Sequence, residues 1–435
     1  VTLIDLGELT APTDPQPPRR RRRSGSRRWP VALVALVVLV ALAGAAPPAT
    51  RVHATVPAGL GSELFFTEEH ILTVSPAPGV TDGSQELTAY ARPKRATVAP
   101  QRLTPLWRVP VSPGIRFFRV ASVAGGGLIV AMVPSQNMGR ATETMLLDAR
   151  TGRQRWRVAG FGMPDASDRV LLQTFALDEP HTLRSVELAT GRELWSTTVP
   201  PSWVAYHQRG GVVEALVVST DAGGVDVLDA RTGRLRDRLP ATDATPAGYQ
   251  QSSVVGDLLL VVRNSRTITA YDMAGLVRRW QTTVPLADFV NRCGALLCAN
   301  ANNGDTYVLE PTSGQVRWST SEDANLLRVT ETGALAELRT RTDGPGLVAL
   351  DAATGQVVTE YGSWEAVARY EEESHLLGIH LVRDVGAVLA RLDPAEPQPR
   401  RLDLLTGVIG GCQSGYDLIA CLQQGDTFGV WQLPG

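Results

Sequence analysis

One short frame returns along most of the chain. Its acidic residues stand at positions 148, 187, 229, 272, 310, 351 and 393, so successive copies lie 38 to 43 residues apart. The first copies read Asp148-Ala-Arg-Thr151-Gly152 ending at Trp156, Glu187-Leu-Ala-Thr190-Gly191 ending at Trp195, and Asp229-Ala-Arg-Thr232-Gly233. Asp272 with Trp280, Glu310 with Gly314 and Trp318, and Asp351 with Thr354-Gly355 continue the series, and a weaker copy ends at Asp393. A period of this length held over seven copies marks a tandem array, in which one supersecondary unit cannot bury its apolar face alone and must stack on its neighbours.

The residues within a unit say what that unit is. Each copy carries a β-branched or aliphatic run such as Leu128-Ile-Val-Ala-Met-Val133 or Leu258-Leu-Leu-Val-Val262 before the acidic turn. Such runs favour strands, and Thr-Gly supplies the left-handed position of a tight hairpin. The acidic side chain can accept hydrogen bonds from backbone N–H groups in that turn. No long stretch after residue 50 shows a 3.6-residue apolar period, so helices are hardly called for. Four short strands per unit close radially into a β-propeller, which hides most strand edges. The expected fold is therefore an all-β propeller of four-stranded blades over residues 63–435.

Five of the nine tryptophans, Trp107, Trp156, Trp195, Trp280 and Trp318, take the same place in the fourth strand, where a flat side chain can pack between blades. Asp237 and Thr359 stand there in two units, and weaker blade contacts are expected at both. Asp148, Asp229, Asp272 and Asp351, together with these tryptophans, are read as structural repeat residues. A divergent first unit runs from Glu63 to Val109, and the C-terminal unit lacks a fourth strand of its own. The two ends are expected to complete one another, with eight blades favoured and seven or nine open.

Residues 1–28 are rich in Pro and Arg and lack apolar periodicity, the composition of a flexible tail. Arg19 to Arg23, Arg27 and Arg28 precede an uncharged run over 29–46. Eighteen residues make a helix about 27 Å long, close to the roughly 30 Å of a bilayer core. The positive-inside rule keeps the arginines in the cytoplasm and sends the chain after residue 46 outside. A single-pass anchor, a linker over 47–62 and an exported propeller follow; a secreted protein cleaved after Ala43-Gly44-Ala45 is the other reading.

The four cysteines, Cys293, Cys298, Cys412 and Cys421, form a Cys-x4-Cys and a Cys-x8-Cys, each near the second strand of its unit. No His lies close to either pair, and an exported domain keeps disulfides. Two local bridges, Cys293–Cys298 and Cys412–Cys421, are expected. The formal net charge of −2 and the lack of a basic surface on the repeats exclude nucleic acid as the main partner.

The frame Asp-x-x-Thr-Gly-x-x-x-Trp resembles the tryptophan-docking repeat of pyrroloquinoline-quinone (PQQ) type propellers, over about residues 60 to 435. The family holds periplasmic quinoprotein dehydrogenases and a non-enzymatic outer-membrane assembly lipoprotein. With its arginine-rich tail and single apolar run, the chain looks like the single-pass PQQ-like repeat proteins of high-G+C Gram-positive bacteria. The resemblance implies PQQ and calcium only where the family's vicinal disulfide and acidic calcium site occur. Here no two cysteines are adjacent, and no catalytic, cofactor-binding or metal-ligating residue carries over. Gly125-Gly126-Gly127 is read as a turn, and Glu371 to Glu373 as a solvated one. The expectation is a non-catalytic binding or scaffolding module on the cell membrane, with a protein or cell-envelope partner on the propeller face. A PQQ-dependent oxidoreductase and a sensor working through a partner are the rivals.

Overall fold

A computed structural model describes residues 51–435 except 60, 135–141, 165–167, 175–179, 201–203, 221–222, 242–249, 322–323, 340–345, 370–375 and 434–435. The arginine-rich tail, the apolar run over 29–46 and the glutamates at 371–373 lie outside the described residues. Among those described, no helix is long and apolar enough to cross a membrane.

The described chain is built of nine sheets, eight antiparallel ones of four strands and one of six. In the second, Ile115–Val123, Gly127–Pro134, Glu143–Asp148 and Gln154–Ala159 pair in sequence order. Its first turn is made by Gly125 and Gly126, both left-handed at φ 72° and 64°. Numbered in chain order, the blades span 63–111, 115–159, 161–199, 204–239, 250–283, 287–320, 324–362, 365–406 and 408–432. The first strands of blades 4, 5 and 6 pack on one another, which makes the first strand of each blade the inner one and the fourth the outer.

The core explains why the ring closes. Nine apolar clusters are buried, and each is shared by two neighbouring blades. Leu72, Leu87 and Trp107 of blade 1 pack on Leu128, Val130 and Leu147 of blade 2. At the other end Leu418, Ala420 and Val430 of blade 9 pack on Leu64, Phe66 and Ile71 of blade 1. Each sheet is apolar on both faces because each face meets a neighbour, and burial of this kind stabilises at about 25 cal/mol per Å².

Blade 9 is completed from the other end of the chain. Its own strands are Val408–Gly415, Leu418–Gln423 and Thr427–Gln432, and His53–Pro57 adds the fourth, in register from His53 opposite Trp431 to Pro57 opposite Thr427. Two short parallel partners, Gln101–Arg102 on His53–Pro57 and Ala368–Arg369 on Val408–Gly415, bring this sheet to six strands. Strand sharing between the ends is thus as expected, but the blade count is nine rather than the favoured eight. Eight would require the divergent first unit and the C-terminal unit to merge. Instead the first unit has four strands of its own, and the C-terminal unit takes its outer strand from within the segment read as a linker.

Candidate binding site

The repeat residues are all committed to joining one blade to the next. Trp107 Nε1 donates to the carbonyl of Ala149 (2.7 Å), Trp156 to Leu188 (2.8 Å), Trp195 to Ala230 (3.2 Å), Trp280 to Pro311 (2.7 Å) and Trp318 to Ala352 (2.9 Å). Each acceptor follows the acidic residue of the next blade. The indole then lies flat on that blade's turn glycine: a Cβ on Gly152, Gly191, Gly233, Gly314 or Gly355 would fall within 2.3–2.8 Å of the ring.

The acidic residues hold the turn that presents this glycine. Asp148 Oδ1 accepts from Thr151 N (3.0 Å) and Oγ1 (2.8 Å), and Asp229 and Asp351 do the same with Thr232 and Thr354. Arg155, then Thr151, holds the Asp148 carboxyl down at about 2. Asp272 accepts from Ala274 N (2.9 Å) and pairs with Arg279.

Cys293 is bonded to Cys298 and Cys412 to Cys421, with Cα–Cα distances of 5.7 and 4.1 Å. The first pair is diagonal across its hairpin rather than face to face, since Cys293 lies opposite Leu296 and Cys298 opposite Asn291. The second spans a bulge between Gly410 and Gln413.

Between blades 1 and 8 the frame breaks in two places, each time on both partners. Thr359 replaces the tryptophan between blades 7 and 8, and Pro397 the glycine. There the Tyr361 hydroxyl lies 2.9 Å from the Asp393 carbonyl and 2.7 Å from that of Glu396. Burial and the two carboxylates push that hydroxyl up to about 12, so it remains a donor. The contact is rebuilt from a residue two positions further on.

Between blades 4 and 5 the repair is incomplete. Asp237 sits opposite Val227, the position that Trp195 takes opposite Ser185 one blade earlier. The turn residue of blade 5 is Leu276 at φ 55°, its N–H still bonded to the Asp272 carbonyl at 2.9 Å. Arg236 Nη2 reaches the Met273 carbonyl in place of an indole, but at 3.4 Å. No ring fills the gap, and a cleft of about 720 Å³ opens there.

Its wall is charged. His207 Nε2 lies 3.0 Å from Asp257 Oδ1, which also accepts from Arg209 Nη2 at 2.7 Å. Those two partners, Arg209 first, hold the Asp257 carboxyl below the usual carboxylate range. Glu214 Oε2 stands 3.6 Å from Arg209 Nη1 and 3.7 Å from His207 Nδ1. Arg236 with Asp237 and Arg279 with Asp272 complete the lining, with Leu258, Met273 and Pro311 as apolar patches. None of His207, Arg209, Glu214 or Asp257 belongs to the repeat frame. Only the paired loss of tryptophan and glycine at 237 and 276 marks the place in the sequence. Among the described residues no group of three or more His, Cys, Asp or Glu side chains could hold a metal ion.

No curated protein matches the chain. Among solved structures it is similar to BamB from Moraxella catarrhalis, at 13% identity over 88% of this chain and 97% of that one, with a TM-score of 0.48. It is similar to Sqt1 from Saccharomyces cerevisiae at 10% identity, over 89% and 97%, with a TM-score of 0.47. The C-terminal WD40 domain of Sif2 gives 9% identity, 89% and 97%, and a TM-score of 0.45. The family model described as PQQ_2, Outer membrane protein assembly factor BamB, matches residues 84–285. That match runs from the third strand of blade 1 to the end of blade 5, and over those blades the chain is similar to PQQ_2, BamB-like repeats.

Proposed function

We propose that this chain is a membrane-anchored, extracytoplasmic binding or scaffolding module in which the repeat residues do no chemistry. The observation that carries this reading is the fate of the repeat side chains. Acidic residue, threonine, glycine and tryptophan of each intact copy are used up against one another and against the next blade, which leaves the loops and the open clefts, that between blades 4 and 5 among them, as the surfaces available to a partner. Two disulfides support an oxidising compartment, and the arginines before the run over 29–46 support an anchor with the propeller outside. A rigid ring of loops suits partner binding, since function resides in sites placed on a fold.

Crosslinking in intact cells of the native host, followed by purification of the full chain, tests this. A defined protein or cell-envelope partner linked through propeller loops is the expected result. Protease added outside should reach the region after residue 50 while an N-terminal tag stays protected. A stoichiometric complex with PQQ and calcium that oxidises an alcohol or sugar with a dye acceptor would overturn the reading.

A further inference from the structure

The cleft between blades 4 and 5 has chemistry that narrows what can occupy it. Three guanidinium groups, on Arg209, Arg236 and Arg279, share it with four carboxylates, on Glu214, Asp237, Asp257 and Asp272. Every guanidinium already faces a carboxylate within the wall and every carboxylate a guanidinium, with Glu214 and Asp257 sharing Arg209, so the cleft holds one carboxylate in excess and neither a free cation nor an unpaired anion. An anion would meet four carboxylates, and a cation would compete with arginines whose pairs it must break. What the wall offers in surplus is hydrogen bonding. Each guanidinium carries five N–H donors and each carboxylate about four lone-pair sites, far more than their mutual contacts use. The His207 side chain is 4% exposed, and its buried Nδ1 makes no hydrogen bond, with Glu214 Oε2 at 3.7 Å. A volume of about 720 Å³ lies within the range of small-molecule sites.

We propose that this cleft binds an uncharged, hydroxyl-rich ligand, a sugar or a short glycan segment. Each hydroxyl is both donor and acceptor, so a sugar answers a wall of alternating guanidinium and carboxylate without bringing a charge to be desolvated. Leu258, Met273 and Pro311 give its C–H faces apolar ground. Two repeat positions changed together beside it: with Trp at 237 and Gly at 276 an indole would enter the cleft on its Asp237 side, as at the five intact docks. The proposal rests on the reading of the chain as a binding module, but the two fail separately, because a partner held by loops does not depend on this cleft.

The test is calorimetric titration of the purified full chain with maltotriose, cellotriose and chitotriose as neutral probes, and with trigalacturonate and trilysine as charged ones. Saturable binding of a neutral trisaccharide is expected, with a Kd that does not change between low and high salt. The double variant Asp237→Trp/Leu276→Gly, which restores the dock, should weaken that binding at least about tenfold. Thr359→Trp at the other break should not. Glu214→Gln, which removes a charge without altering shape, should also weaken binding and serves if the double variant fails to fold. Binding of a charged probe alone, no binding of any neutral probe, or equal binding by wild type and these cleft variants would each overturn the proposal. A crosslinked partner that persists in such a case would leave the module reading standing.

Discussion

The indole of Trp280 lies against Gly314 of the next blade so closely that a Cβ there would fall 2.3 Å from its ring, while Trp280 Nε1 donates to the carbonyl of Pro311. One side chain thus demands a glycine and satisfies a carbonyl on a neighbour more than thirty residues away. The repeat of Trp and Gly in the sequence records this single contact, made five times around the ring.

Gly314→Ala should therefore cost more than backbone strain. Gly125 has a similar φ, 72° against 71°, but nothing within 4 Å of a built Cβ. Gly125→Ala is expected to cost about 1 kcal/mol, and Gly314→Ala about 3 kcal/mol or more once overpacking against the indole is added. Urea unfolding of the two variants checks the difference.

The indole contributes packing and a donor that can be separated. Trp156→Ala, Trp195→Ala and Trp318→Ala should each cost about 3 to 5 kcal/mol by leaving a cavity. Trp318→Phe keeps most of the ring but leaves the Ala352 carbonyl without its partner, for about 1 to 3 kcal/mol. Equal losses for Phe and Ala would show that the hydrogen bond, not the ring, holds the blades together.

Acid should weaken the ring at its closure. His53 stacks on Trp431 at 4.8 Å, and burial, then the Arg51 charge, pushes its imidazole down from 6.5 to about 4. His70 in blade 1 shifts the same way, chiefly through burial. Between those values the unfolded chain binds the proton and the folded one does not, so stability falls as pH drops from about 6.5 to about 4 and His53 adds no further loss below that. His53→Phe keeps the stacking and should flatten the pH dependence of the unfolding midpoint across this window. An unchanged slope would assign the acid loss to other groups.

Much of this was legible before any coordinates. The period and the Asp-x-x-Thr-Gly-x-x-x-Trp frame carry the propeller because the same contact recurs and leaves the same residues behind. Blade number was not, since blade 1 keeps only Trp107 of the frame, blade 9 lacks it, and five residues of an apparent linker complete blade 9. Asp237 and Thr359 read alike as weakened contacts. Only three-dimensional proximity shows that Tyr361 repairs one while His207, Arg209 and Asp257, from non-repeat positions in two copies, line the other.

The disulfides close short hairpins, with sequence separations of 5 and 9 residues. Replacing either pair by serine should cost about 2 to 3 kcal/mol, the low end for a crosslink, because short loops restrict the unfolded chain least. Non-reducing peptide mapping should recover Cys293 with Cys298 and Cys412 with Cys421, and a crossed linkage would contradict the structure.

Sharing a blade between the two ends also sets a timetable. His53–Pro57 is made before every other strand of the ring, yet its main partner, Thr427–Gln432, is the last of those strands to be made. At roughly 5 to 20 residues per second the first strand waits on the order of 20 to 75 s, with its edge unpaired, for the chain that will cover it. Eight blades can stack in order of synthesis while the ninth cannot be completed until Thr427–Gln432 has been made. The ring therefore stays an open arc until that strand emerges, and whatever escorts the nascent chain must keep His53–Pro57 apart from other edges until then.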